Sequence, residues 1–181
     1  REETSVNEIG TVKAFFAKRN VPGYWWLGAQ LYPPHLPELL EQNGLTLDHP
    51  LLPAMIALLP SQKVADHPDI EVWQAATRAD LEAASRIRHA AFRFPEDAGL
   101  DYFETMAADW LGRNPARLFL ARDREGPPAA IGALVMGDGL PGIYVMATLP
   151  EWRKRGMGKA ILSRILSEAA SDRNSMIVLT A

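Results

Sequence analysis

The chain has no cysteine among its 181 residues. Thiol nucleophiles, disulfides and Cys-ligated zinc are thereby excluded. Nor does it hold an apolar run of the ~20 residues that a membrane-spanning helix needs. Stretches such as LLPAMIALLP at 51–60 are too short and are broken by proline. Positive charge is not in excess either. The 19 Lys and Arg face 22 Asp and Glu, and a formal net charge of -3 gives no global attraction to nucleic acid or anionic membrane. His35, His49, His67 and His89 are scattered without metal-ligand spacing, so no metal is expected. What remains is 48% hydrophobic and 23% charged, the balance of an ordinary globule with enough length for one domain and a small appendage. A cytoplasmic protein is the expectation.

Two segments follow from a pass along the chain. Residues 1–19 suit a short helix ending before Val21-Pro22, Tyr24-Trp25-Trp26-Leu27 reads as a strand, and 35–42 as a helix closed by Asn43-Gly44. Residues 54–59 read as a buried strand. The lead-in thus spans 1–60, and the polar, proline-bounded stretch at 61–69 reads as a linker. From 70 onward the pattern is more regular. A strand at 70–76 meets Thr77, an N-cap with Asp80 in the first turn of a helix that places Leu81, Ala84, Ile87, Arg88 and Ala91 on one face. Phe92-Arg93-Phe94-Pro95 breaks it. A second helix is expected over 100–111, then strands at 117–121, 130–136 and 143–148, a helix from Gly156 and a last strand at 175–180. The fold class is α/β with a mixed central sheet, and the main domain spans 70–181.

The stretch ATLPEWRKRGMGKAILSRIL at 147–166 carries the chemistry. Pro150 has no N–H to donate, so strand pairing ends there. Met157, Ile161, Leu162, Ile165 and Leu166 recur at helical spacing. Gly156 and Gly158 remove side chains from the start of that helix, where free N–H groups and the dipole attract an anion, and Arg153, Lys154 and Arg155 add charge. A pyrophosphate suits such a site. The dinucleotide fingerprint fails because Ile161 stands at its third glycine. The P-loop pattern fails because Ala160 stands in place of Ser or Thr. R-x-x-G-x-G remains, running from Arg153 through Gly156 to Gly158.

This loop, following a strand that ends A-T-L-P, resembles the coenzyme A loop of the GNAT superfamily of N-acetyltransferases. The run from Gly142 through Tyr144 to Glu151 is similar to the family's fourth strand, and the element order over 70–181 is similar to its first five strands and three helices. The lead-in from Pro22 to Gly28, followed by a helix and Pro53-Ala54-Met55, is similar to a segment in some members, a reduced second half-copy. The resemblance implies acetyl-CoA as cosubstrate and direct attack of a small-molecule or peptide amine on the thioester. It implies a cofactor site at Met146, Ala147, Thr148, Arg153, Lys154, Arg155, Gly156, Met157, Gly158, Lys159 and Ala160. In it, Met146 and Thr148 offer backbone groups to the pantetheine, and the N–H groups of 155–159 hold the pyrophosphate.

For proton handling and acceptor binding the candidates are Asp138, Tyr144 and Glu104, with Phe92, Phe94, Glu96 and Asp97 flanking the acetyl end. The family's proton-donating tyrosine lies on a helix after the last strand found here. The chain opens on Arg1 and stops at Ala181 directly after an apolar strand, so a missing C-terminal continuation is expected, with the family's fourth helix and last two strands absent. An open edge at 176–180 would then invite a second copy of the chain. Two other readings stand beside the enzyme. One is a non-catalytic acetyl-CoA sensor or scaffold; the other, a nucleic-acid module using Arg153-Lys154-Arg155, is disfavoured by the acidic balance.

Overall fold

The computed structural model describes residues 6–20, 23–28, 31–47, 54–60, 67–95, 100–111, 116–137 and 139–180. It divides into two compact units, Arg1–Leu52 and Pro53–Ala181. In the first, α1 (Val6–Arg19) and α2 (Leu36–Gln42) share a small apolar cluster of Ile9, Leu36 and Leu40, with Trp25, Leu39 and Leu45 packed on it. Asn43 caps α2, and Gly44 turns the chain at φ +79, a left-handed angle that glycine takes without cost. Residues 23–28 form no strand, contrary to the expectation from Tyr24-Trp25-Trp26-Leu27. Strand propensity acts through neighbouring strands, and here Trp25 instead packs on the cluster while Tyr24 and Trp26 stay exposed.

The second unit is built on a six-stranded sheet. Its strands are β1 (Ala54–Leu58), β2 (Ile70–Gln74), β3 (Ala116–Asp123), β4 (Ala130–Gly137), β5 (Leu140–Thr148) and β6 (Met176–Thr180), in the order β1-β6-β5-β4-β3-β2. All neighbours are antiparallel except β5 and β6. Helix α3 (Arg78–Phe92) covers one face and α5 (Met157–Ser171) the other. Strand β3 shows how the sequence does this. Leu118 and Leu120 join Leu81, Ala84 and Ile87 of α3, while Phe119 and Ala121 join Ile161 and Ile165 of α5. With both faces buried, the strand reads as a continuous apolar run rather than an alternating one. No helix among the described residues is long and apolar enough to cross a membrane.

Helix α3 starts as its sequence dictates. Thr77 Oγ1 accepts from the Asp80 N–H at 3.2 Å, and the Asp80 carboxylate accepts in return from the Thr77 N–H at 3.0 Å. The same carboxylate takes Trp73 Nε1–H at 2.9 Å and the Ala76 N–H at 3.1 Å, tying the end of β2 to the helix. Partial burial pushes the Asp80 pKa up, but the hydrogen bonds from Trp73, Ala76 and Thr77 outweigh it and hold the group below its ordinary value.

Three expectations are corrected. The helix expected over 100–111 shrinks to a 3-10 turn at Glu104–Met106 and one turn of α4 (Ala107–Trp110). The buried Ser85 hydroxyl explains this: it accepts the Phe103 N–H at 3.1 Å and donates to Glu104, drawing a backbone donor out of any helical ladder. Strand β1 is not a buried strand of the lead-in. It joins the second unit's sheet as an edge strand with Met55, Ile56 and Leu58 exposed. Nor does β6 present an open edge, because β1 pairs with it from Ala54↔Thr180 to Leu58↔Met176. The ground for expecting a second copy at that edge is removed.

Helix α5 packs directly on Gly132 of β4. A Cβ built there lies 2.6 Å from Ile161 Cγ2, nearer still to Met146 Sδ and 3.3 Å from Ile165 Cδ1. Gly132→Ala is therefore expected to lower the unfolding free energy by ~1–3 kcal/mol, the usual cost of overpacking, in urea titration. Asp80→Ala is expected to cost ~1 kcal/mol at pH 7 through the lost cap. The Asp80 pKa is depressed in the folded state, so this contribution is present above the ordinary carboxylate value and lost as pH falls through the folded one. The gap between wild type and Asp80→Ala should shrink in titrations run at acid pH.

Candidate functional site

The site begins with an irregularity in β5. Ile131↔Ala147 and Ala133↔Tyr144 bracket one residue of β4, Gly132, against two of β5, Val145 and Met146. Val145 sits at φ +53, a region β-branched residues seldom enter, at a cost of ~1–3 kcal/mol. This bulge resets the alternation. Val145 and Ala147 pack on the α3 side, and Met146 on the α5 side together with Ile143. Past the bulge the Leu149 N–H donates to the Ala129 carbonyl at 2.9 Å. Thr148, paired with Ala130, is then the non-bonded member of the ladder, and its N–H and C=O point away from β4. On that outer side β6 pairs only with Gly142 and Ile143, so residues 144–148 have no neighbouring strand among the described residues.

The loop after β5 turns through a 3-10 turn at Pro150–Trp152, with Lys154 at φ +62 and Gly156 at φ +89. Helix α5 starts without a side-chain cap. Its first backbone bond is from the Ala160 N–H to the Gly156 carbonyl at 2.9 Å. The N–H groups of Met157, Gly158 and Lys159 therefore have no carbonyl one turn back, at the positive end of the helix dipole. The two glycines act differently. Gly156 is required by its left-handed angle and by crowding, since a Cβ there would lie 3.0 Å from His67 Cδ2 and 3.3 Å from Ile70 Cδ1. Gly158 is not crowded, with Thr148 Oγ1 at 3.9 Å the nearest atom to an added Cβ.

These parts surround a cleft of about 290 Å³ lined by Ala91, Phe92, Met146, Ala147, Thr148, Arg153 and Gly158. Arg153 spans it. Its Nε donates to the Thr148 carbonyl at 3.2 Å and its Nη2 to the Ala91 carbonyl at 3.4 Å, joining the end of β5 to the end of α3. Phe92 at the end of α3 thus lies on one cleft with Met146, Ala147, Thr148, Arg153 and Gly158 of the strand and loop.

Other candidates lie elsewhere. Met157 is buried among the α5-side core, so only its N–H can serve the cleft, and Ala160 is half-buried. Lys154 and Lys159 are exposed, and the Arg155 guanidinium lies 4.9 Å from the Trp152 ring centroid. Tyr144 is exposed on the sheet, its ring covering Gly142, and Glu104 accepts from Ser85. Neither lines the cleft. Asp138, Glu96 and Asp97 lie outside the described residues. Phe94 packs 6.0 Å from Phe92 and under Arg88, whose guanidinium carbon is 4.5 Å from the Phe94 centroid and 3.8 Å from that of Tyr102. Burial of Arg88 draws its pKa below the ordinary value, with Tyr102 opposing. Ala91, expected only on the apolar face of its helix, lines the cleft as well.

The model of the acetyltransferase (GNAT) domain matches residues 61–179. No curated protein sequence matches the chain significantly. Among solved structures, a GCN5-related N-acetyltransferase from Kribbella flavida is 22% identical with a TM-score of 0.65, over 96% of this chain and 64% of that one. The chain thus spans less than two thirds of that protein's length. A GCN5-related N-acetyltransferase from Sphaerobacter thermophilus is 16% identical with a TM-score of 0.62, over 81% of this chain and 46% of that one. A predicted acetyltransferase with acetyl-CoA from Clostridium acetobutylicum is 20% identical with a TM-score of 0.53, over 62% of this chain and 80% of that one. At these identities the likeness speaks for the fold alone. Since the family model covers most of the chain, the protein belongs to the GNAT acetyltransferase domain family.

Proposed function

We propose that the domain binds acetyl-CoA in the cleft between β5 and α5 and transfers the acetyl group to an amine. The observation that carries this is the coincidence of uncapped N–H groups at the start of α5 with an uncrowded Gly158 on the cleft wall. Backbone can approach a diphosphate there without a side chain between them. The N–H groups of Met157, Gly158 and Lys159 take the pyrophosphate. The outward N–H of Thr148 is placed to pair with a pantetheine amide as a neighbouring strand would, while its C=O holds Arg153. The Clostridium acetobutylicum relative described with acetyl-CoA supports the same cosubstrate.

The cosubstrate supplies a thioester carbonyl reactive toward amines; the chain contributes alignment and exclusion of water. As the new C–N bond forms, the C–S bond breaks and the amine gives up a proton. Among its described residues the cleft lining has no carboxylate, imidazole or phenol to receive it. That observation favours, as a second reading, a domain that binds acetyl-CoA without turnover. Calorimetry with acetyl-CoA and assay of free thiol over a panel of amines separate the two.

The glycines give a sharper check. Gly158→Leu is expected to weaken acetyl-CoA binding by at least about tenfold. Its folding stability should be retained, because a side chain replaces glycine in a helix and its Cβ makes only an ordinary contact, with Thr148 Oγ1 at 3.9 Å. Gly156→Ala is expected to lose ~1–2 kcal/mol of stability from the left-handed backbone. Unchanged affinity in Gly158→Leu would defeat the proposed cofactor placement.

A further inference from the structure

Resting on the acetyl-transfer reading, we propose that Arg88 is the carboxylate-binding residue of the acceptor site, so that the acceptor is an amine that also carries a carboxylate. Arg88 is half-buried on α3, and its guanidinium lies against two rings, at 3.8 Å from the Tyr102 centroid and 4.5 Å from that of Phe94. Stacking of this kind fixes the plane of the group while leaving its N–H edge free. Among the described residues that edge has no carboxylate and no carbonyl oxygen bonded to it. The i,i+4 ion pair on the same helix uses Arg78 and Glu82 instead. A half-buried cation that is held in orientation, with no anion on it among the described residues, is costly unless a ligand completes it. Its lowered pKa agrees, since a paired carboxylate would have raised it.

Position links this group to the cleft. Arg88 precedes Ala91 and Phe92 by three and four residues, which puts all three on neighbouring parts of one helix face. Ala91 and Phe92 line the cleft, and Phe92 packs against Phe94, which stacks on Arg88. The aromatic pair also removes water from around the guanidinium. A bidentate bond to a carboxylate there is stronger than it would be at the open surface. An acceptor anchored by its carboxylate at Arg88 would extend its amine past Phe92 toward the end of β5.

The test has a binding arm and a kinetic arm. In protein labelled with ¹⁵N-arginine, the Arg88 Nε–H resonance, assigned through Arg88→Lys, is followed during titration with N-acetylglycine, N-acetyl-leucine and N-acetylglutamate. The matching N-acetyl amino acid amides are titrated in parallel. The acids should shift the resonance saturably and the amides should not. In the kinetic arm, glycine, leucine and glutamate are compared with their amides by thiol release. The acid is expected to exceed the amide in kcat/KM by at least about tenfold, a preference that Arg88→Met abolishes through KM and Arg88→Lys retains in part. No saturable shift with any acid, or equal shifts from acids and amides, overturns the proposal. So does a preference that survives in Arg88→Met while its stability falls, which is the signature of a packing role alone. If acetyl-CoA fails to bind while the acids still move the Arg88 resonance, the acetyl-transfer reading fails and the carboxylate site stands.

Discussion

The site depends on one steric fact, the absence of a side chain at Gly132. Only because β4 is bare there can α5 lie against the sheet with Ile161 and Ile165 over that position. The two residues of β5 opposite it absorb the mismatch, and the ladder bulges at Val145 and Met146. The bulge then rotates the rest of β5. Thr148 comes to face away from β4, and Pro150 sends the chain round to Gly156 and back along the same sheet face as α5. The strained angle at Val145 is held in place by the packing on either side, with Val145 on the α3 core and Met146 on the α5 core.

The loop owes its character more to backbone than to charge. Three consecutive cations, Arg153, Lys154 and Arg155, invite a reading as a basic patch. In the structure they part company: Arg153 folds into the cleft and bonds two carbonyls, Arg155 lies over Trp152, and Lys154 supplies a left-handed turn. What stays unpaired at the start of α5 is a set of fixed N–H dipoles. Such groups keep their orientation at no side-chain entropy cost, and salt screens them less than it screens mobile surface cations.

Much of this was legible in the residues, for a definite reason. The signals at Thr77 with Asp80, at Pro150 and at Gly156 are local, set by hydrogen bonds and backbone angles within a few residues, and each appears where the sequence places it. The readings that failed were decided by partners distant in the chain. Whether 100–111 forms a helix depends on the Ser85 hydroxyl, and whether Tyr24-Trp25-Trp26-Leu27 pairs depends on a neighbouring strand it does not have. The role of 54–58 rests on β6 at the far end of the unit. In the cleft, the strand and loop side was readable from motif and spacing. Ala91 was not, because nothing in α3 itself says which part of its face meets Arg153.

The antiparallel pairing of β1 with β6 also bears on the order in which the chain can fold. It joins Ala54 to Thr180, the opposite ends of the unit's sequence, while β3, β4 and β5 follow one another through short turns. Hairpins close at small entropic cost, and distant strands close late. The β3-β4-β5 meander with α5 laid over Gly132 can therefore assemble first, carrying the bulge and the start of α5 with it. The parallel β5-β6 contact and the β1 edge come after, and by the same reasoning they open first in native-state fluctuations. A domain assembled in that order has the glycine-bearing turn that leads into α5 formed before its sheet is complete.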